Sequence, residues 1–210
     1  MVSTKRIDLA QEYVDLYKSC CPGSNAAGAP VRDLKDQISE TLDRITAHSN
    51  QYIGAEEICG VPWWFIAVIH QLESSGDFTK HLHNGDPLTA RTVNVPEGRP
   101  LGEPPFTWEE SASDAMRLKT WDSSQVRRLP DGRADWTLPT ALWRAESYNG
   151  FGYRYKGIRS PYLWAGCQHE EPGRYVKDRV WNPKAWSSQI GVGVLMREME
   201  SKKLMKVDRQ

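Results

Sequence analysis

Apolar residues recur every three or four positions over several stretches of the chain, and each stretch predicts a helix. In the first, Ile7, Leu9, Ala10, Tyr13, Val14, Leu16 and Tyr17 share this spacing, and the pattern stops at Cys20-Cys21-Pro22-Gly23. Residues 23–30 are rich in Gly, Ala, Ser and Asn and read as a linker. Val31, Leu34, Ile38, Leu42 and Ile45 then carry a second helix to about His48. The third stretch differs in kind. After Gly60-Val61-Pro62 the run from Trp63 to Glu73 is apolar on nearly every side, which marks a buried helix, and Ser74-Ser75-Gly76 supplies its stop.

From residue 77 to 105 the pattern breaks into His, Asn, Gly and Pro with short alternating pieces such as Thr92-Val93-Asn94-Val95, which predict an irregular lobe with a small β-hairpin. Thr107 followed by Glu110 is a capping-box signature opening a helix to about Trp121. Another helix is predicted from Pro139 to Asn149-Gly150. A last one is predicted from about Pro183 to Lys206, with Trp186, Ile190, Val194 and Leu195 inward and Gly191 and Gly193 allowing close packing. The sum is a mainly α chain with a buried central helix and a small irregular or β-hairpin lobe. Residues 1–30 are read as an N-terminal helix and linker, and 31–210 as one domain.

Composition narrows the class. With 210 residues, 39% hydrophobic and 26% charged, the chain is an ordinary globular protein rather than a disordered one. Its 27 Lys and Arg balance 27 Asp and Glu, so it lacks the overall basic charge of a nucleic-acid binder, and its function is expected to depend little on salt. The longest apolar run falls short of a membrane span, so no stable membrane insertion is expected. The first residues lack the apolar core of a secretory signal, and the expected location is cytoplasmic. Cys20, Cys21, Cys59 and Cys167 show no zinc-type spacing and read as free thiols, and no metal or cofactor is expected. The nine Trp are either core or stacking surface, with Trp63 and Trp64 assigned to the core.

Glu73 is the most informative position. It shares a helix face with Ile66 and Ile69 and lies at a helix C-terminus, where apolar neighbours and the helix dipole both favour the neutral acid. A neutral carboxylic acid can donate a proton to a leaving oxygen. His70, one turn earlier, reads as a packed, hydrogen-bonded side chain, and His81 and His83 lack a third metal ligand at recognisable spacing. Asp86 and then Asp77 are the candidates for a second carboxylate, although both also suit turn chemistry. Glu146 is the rival acid, read as structural because no long apolar run precedes it.

The run Ile69-His70-Gln71-Leu72-Glu73-Ser74-Ser75-Gly76 resembles the helix-end Glu-Ser element of goose-type lysozymes and soluble lytic transglycosylases. Farther on, Glu146-Ser147-Tyr148-Asn149-Gly150-Phe151-Gly152 is similar to that superfamily's Tyr-Asn-Gly element. His83-Asn84-Gly85-Asp86-Pro87-Leu88 and Ser160-Pro161-Tyr162-Leu163-Trp164-Ala165-Gly166 resemble segments of single-domain phage-type endolysins. The likeness extends from about Gln51 to Met199. The superfamily's Gly-Leu-Met-Gln type element is absent, residues 77–105 taking its place. The resemblance implies a lysozyme-like fold and cleavage of the β-1,4 bond between N-acetylmuramic acid and N-acetylglucosamine in peptidoglycan, with Glu73 as acid and base. Asp86 is expected as the assisting carboxylate from its place in the Asn84-Gly85-Asp86 turn, and His83, Tyr148, Asn149, Tyr162 and Trp164 are expected as sugar-binding residues. The implied partner is the glycan strand, met by a monomer that reaches the wall after release through a separate membrane protein. A chitinase-like enzyme and a non-catalytic glycan-binding or virion structural protein are the competing readings.

Overall fold

A computed structural model describes residues 2–121, 126–177 and 180–209. The protein is mainly helical, with nine helices and one two-stranded antiparallel sheet among the described residues. It divides into two compact units, one formed by residues 1–42 and 136–210 and the other by residues 43–135. No single described helix is long and apolar enough to cross a membrane.

In the first unit, α1 (Arg6–Ser19) packs against α6 (Leu138–Asn149) and also touches α9 (Val192–Ser201). Leu9, Tyr13 and Tyr17 form the buried stripe of α1, so residues 1–30, read from sequence as a separate segment, contribute to this unit's core, while Ile7 remains 75% exposed. The short α7 (Gly152–Tyr155) and α8 (Pro161–Trp164) follow α6. Gly191 and Gly193 bring α9 against α8. A Cβ on Gly191 would lie 2.4 Å from the Leu163 carbonyl, and one on Gly193 would lie 2.9 Å from the Trp164 ring. The Gly191 N–H donates to Ala165 O at 2.8 Å, closing the same contact. This last helix begins nine residues later than the pattern predicts, because residues 183–190 form an irregular segment.

The sheet is also placed differently from the expectation. Strands β1 (Arg174–Lys177) and β2 (Val180–Asn182) form the hairpin, with Tyr175 opposite Trp181 and a bulge between Tyr175 and Lys177. The expected hairpin near residues 92–95 has no strand. Pro96, Pro100, Pro104 and Pro105 withhold N–H donors there, and side chains take over the role of a ladder. The Asp86 carboxylate accepts from the Val93 and Asn94 N–H groups at 2.8 and 3.0 Å, and Arg91 donates to Gly102 O.

The second unit takes in the end of α2 (Leu34–Ala47), then α3 (Ser49–Cys59), α4 (Trp63–Ser74) and α5 (Trp108–Leu118). The predicted capping box is present: Glu110 N–H donates to Thr107 Oγ1, and the Thr107 N–H donates to the Glu110 carboxylate. Sequence patterning missed α3. It buries Tyr52, Ala55 and Cys59 and carries Gly54 at its middle, where a Cβ would come within 3.4 Å of Glu109, so its inward face is mostly small and its period weak. Ten of the twelve residues of α4 are buried, as its all-round apolar sequence predicts.

Candidate functional site

The second unit positions Glu73 through the clamps on α4. The α4 N-terminus is capped by the Glu56 carboxylate, which accepts from the Trp63 N–H at 2.9 Å where Pro62 offers no side-chain oxygen. At the other end Ser75 adopts a left-handed conformation, and both Ser75 and Gly76 donate to the His70 carbonyl. Gly76 meets two requirements at once. Its φ is +73°, and a Cβ there would fall 2.7 Å from the Gln71 amide. His70 is fully buried against Phe78 and Trp108, with Nδ1 3.0 Å from the Tyr52 hydroxyl and Nε2 3.3 Å from Asp77 O. Burial lowers its pKa to about 4, so it is a neutral packing residue near neutrality, as read from sequence. Glu73, the one acidic residue of α4, is half-buried in the last turn; Trp63, assigned from sequence to the core, is half-buried at the helix start, and the ten other residues are buried.

The other carboxylates of this unit hold the lobe together. Asp86 accepts from the Val93 and Asn94 N–H groups and from the Asn84 and Asn94 side-chain amides, the last two at 3.0 and 2.7 Å. The Asn94 N–H, with these other donors, keeps its carboxyl below the usual range. Four donors on two oxygens make Asp86 the staple of the loop. Asp77 serves a turn in the same way, accepting from the Thr79 N–H and hydroxyl, and its pKa is lowered to about 2. His83, expected to touch substrate, is instead enclosed. Its Nε2 lies 2.8 Å from Asp114 Oδ2 and its Nδ1 3.5 Å from Ser111 Oγ, while Arg99 grips the same Asp114 carboxylate. His81 shares Ser111 at 2.8 Å and caps Ala90 O at 2.8 Å. These side chains tie the lobe to α5, a task the sequence pattern does not reveal. Among the described residues no three His, Cys, Asp or Glu side chains converge as metal ligands, and all four cysteines are free thiols.

The first unit contains an open cleft of about 270 Å³ lined by residues of the α6–α7 corner, α8, β1 and the segment before α9. Two of the expected sugar-binding residues, Asn149 and Tyr162, lie on its wall. Asn149 is exposed at the end of α6, whereas Tyr162 is 8% exposed. Tyr153, Arg174, Tyr175, Ser187 and Gln189 also line it and were not singled out from sequence as binding residues. Their local signals are the Tyr-Arg-Tyr following Phe151-Gly152 and the alternation Arg-Tyr-Val-Lys after Gly173. Tyr153, Tyr175 and Trp181 meet edge-on or tilted with centroids 5.1 to 5.9 Å apart. Gly173, at φ +123°, admits the Trp181 ring, which a Cβ would strike at 2.7 Å. Buried Glu170 fixes the opposite wall by accepting from the Gly166 and Ser187 N–H groups at 3.0 and 3.1 Å while pairing with Arg32 at 2.5 Å.

Trp164, expected as a sugar platform, is 1% exposed and is a core residue, covered by α9 through the Gly193 approach. Tyr148 is half-buried one residue before Asn149 and lies outside the cleft lining. Glu146 is fully buried, accepting from the Tyr13 hydroxyl at 2.6 Å and pairing with Arg154 at 2.7 Å. Burial pushes its pKa up against the pull of Arg154 and Tyr13, so burial does what the sequence reading denied for lack of an apolar run. Its enclosure by Tyr13 and Arg154 gives it a structural place. Glu73, Asp86 and His83 belong to one unit, and Tyr148, Asn149, Tyr162 and Trp164 to the other. No protein-family model, curated protein or solved structure matches this chain.

Proposed function

We propose that the chain is a lysozyme-like glycosidase that cleaves the N-acetylmuramic acid to N-acetylglucosamine β-1,4 bond of peptidoglycan, with Glu73 as its acid and base. The observation that carries this reading is the placement of Glu73. It is the one carboxylic acid of a helix buried along ten of its twelve residues, held at both ends, and it is half-buried in the last turn. Fixed, partly desolvated carboxyl groups are suited to general acid catalysis. The order of the Glu-Ser and Tyr-Asn-Gly elements along the chain supports the same reading.

In this mechanism Glu73 gives its proton to the glycosidic oxygen as the bond from C1 to that oxygen breaks, and the acetamido oxygen of the sugar closes on C1. The Glu73 carboxylate then takes a proton from the group that attacks C1 and reopens the ring. Water as that group yields a reducing end. The C6 hydroxyl of the same sugar yields a 1,6-anhydro end. The four donors on Asp86 suit a carboxylate that shapes the neighbouring loop rather than one that attacks C1.

Glu73→Gln tests the assignment. It should fold with an unchanged circular dichroism spectrum and lose clearing of purified sacculi by at least about 100-fold. Retention of most activity removes Glu73 from the chemistry, and loss confined to Glu146→Gln transfers the role there. The enclosure of the whole cleft within one unit favours a second reading, glycan binding without cleavage. Retention of the chain on sacculi with no soluble saccharide released supports that reading.

A further inference from the structure

We propose that Arg174 reads a carboxylate on the glycan bound in the first unit's cleft, so that the cleft prefers acidic, muramic acid-containing strands over neutral N-acetylglucosamine polymers. The inference rests on the glycan-cleaving reading above and names the substrate feature recognised. Arg174 opens β1 opposite Asn182, is partly buried, and lines the cleft between the tyrosine cluster and the α6 terminus. Of the seven described arginines that are buried or half-buried, four pair with a carboxylate: Arg32 with Glu170, Arg99 with Asp114, Arg154 with Glu146 and Arg197 with Glu200. Arg174 makes no ion pair with any described residue, yet its charge is felt at the Tyr153 hydroxyl beside it. A half-buried guanidinium on a concave wall, with no counter-ion among the described residues, favours an anionic ligand that its planar fork can grip in bidentate fashion.

The surroundings agree in sign and in shape. The first unit carries 18 Lys and Arg against 13 Asp and Glu, whereas the second carries 9 against 14, so neutral overall composition conceals a basic unit bearing the cleft. Lys156, whose ammonium lies 5.5 Å from the Trp181 ring, adds positive charge at the edge of the tyrosine cluster. Burial raises the Tyr153 pKa, so its hydroxyl stays neutral and can donate. Asn149, Ser187 and Gln189 supply amide and hydroxyl groups of the kind that pair with acetamido and hydroxyl substituents. In a peptidoglycan strand the O3 substituent of every second sugar brings a carboxylate from one of two sources. It is the lactyl group itself in a peptide-free strand, or the acidic stem peptide where the lactyl group is amidated.

Binding is best measured by calorimetry at low ionic strength with the Glu73→Gln chain, which keeps the ligand intact. The probes are three tetrasaccharides: neutral tetra-N-acetylglucosamine, a peptide-free N-acetylglucosamine–N-acetylmuramic acid oligomer, and the same oligomer bearing stem peptides. At least one acidic ligand should bind about 10-fold more tightly than the neutral one. Adding Arg174→Gln should bring the two within about twofold, and Arg174→Lys should restore part of the preference. Preference for the peptide-free oligomer assigns the lactyl carboxylate, and preference for the peptide-bearing one assigns the stem. Equal or tighter binding of the neutral ligand, or a preference that survives Arg174→Gln, overturns the inference while leaving the glycan reading intact. Failure of all three ligands to bind overturns both.

Discussion

At the scale of single residues, burial drives His70 toward its neutral form, and this makes stability depend on pH. His70 titrates at about 4 in the folded chain against about 6.5 when unfolded. Between those values the unfolded state binds more protons, so stability is complete above pH 6.5 and falls as pH is lowered through the window, by about 3 kcal/mol at pH 4. Urea unfolding from pH 7 to 4 should show this slope, and His70→Gln should flatten it. Glu146→Ala should cost about 3 kcal/mol, because the Tyr13 hydroxyl and Arg154 both lose their buried acceptor, Arg154 keeping its contacts with Glu12 and the Tyr13 ring. Chemical denaturation measures that loss. A sequence shows which residues can titrate, but enclosure is a property of what lies across the fold. His70 was legible because its whole helix is apolar. Trp164 and His83 were misread because Gly193 and Asp114, which cover or engage them, lie 29 and 31 positions away.

Among the elements, those whose signals are local were legible. The Thr107 capping box, the all-round apolar α4 and the Pro-to-Gly span of α6 all appear within one or two turns of chain. What escaped was set by contacts distant in sequence. Helix α3 shows a weak period because it packs small residues against α5, and strands β1 and β2 are short and largely exposed. The lobe between α4 and α5 reads as strand by alternation, yet its prolines and the Asp86 staple impose loops. The glycines of the α8–α9 contact give the sharpest elemental test. Gly191 has an ordinary φ of −72°, so a side chain there meets no conformational penalty of its own but would strike the Leu163 carbonyl at 2.4 Å and the Trp164 nitrogen at 2.7 Å. Gly191→Ala should destabilise the fold by about 3 kcal/mol, seen as a lowered Tm, and should loosen Tyr162 on the cleft wall.

For the whole molecule, the balanced charge that predicts salt-insensitive function is an average over two units of opposite sign. Exposed charges are screened over about 8 Å at physiological ionic strength. Retention on acidic sacculi should therefore weaken several-fold between 50 and 300 mM NaCl, and co-sedimentation will show whether it does. The mainly helical content was legible because helical patterning dominates the chain. The division of charge was not, since residues 1–42 and 136–210 join across a long interval of sequence. The central claim concerns bond cleavage, and the mass of the soluble products tests it most directly. Purified sacculi treated with the wild-type chain should release fragments cut after N-acetylmuramic acid, with reducing ends or 1,6-anhydro ends lighter by one water, and the Glu73→Gln chain should release none. The account is contradicted if the wild-type chain releases no saccharide fragments, or if Glu73→Gln releases the same ones.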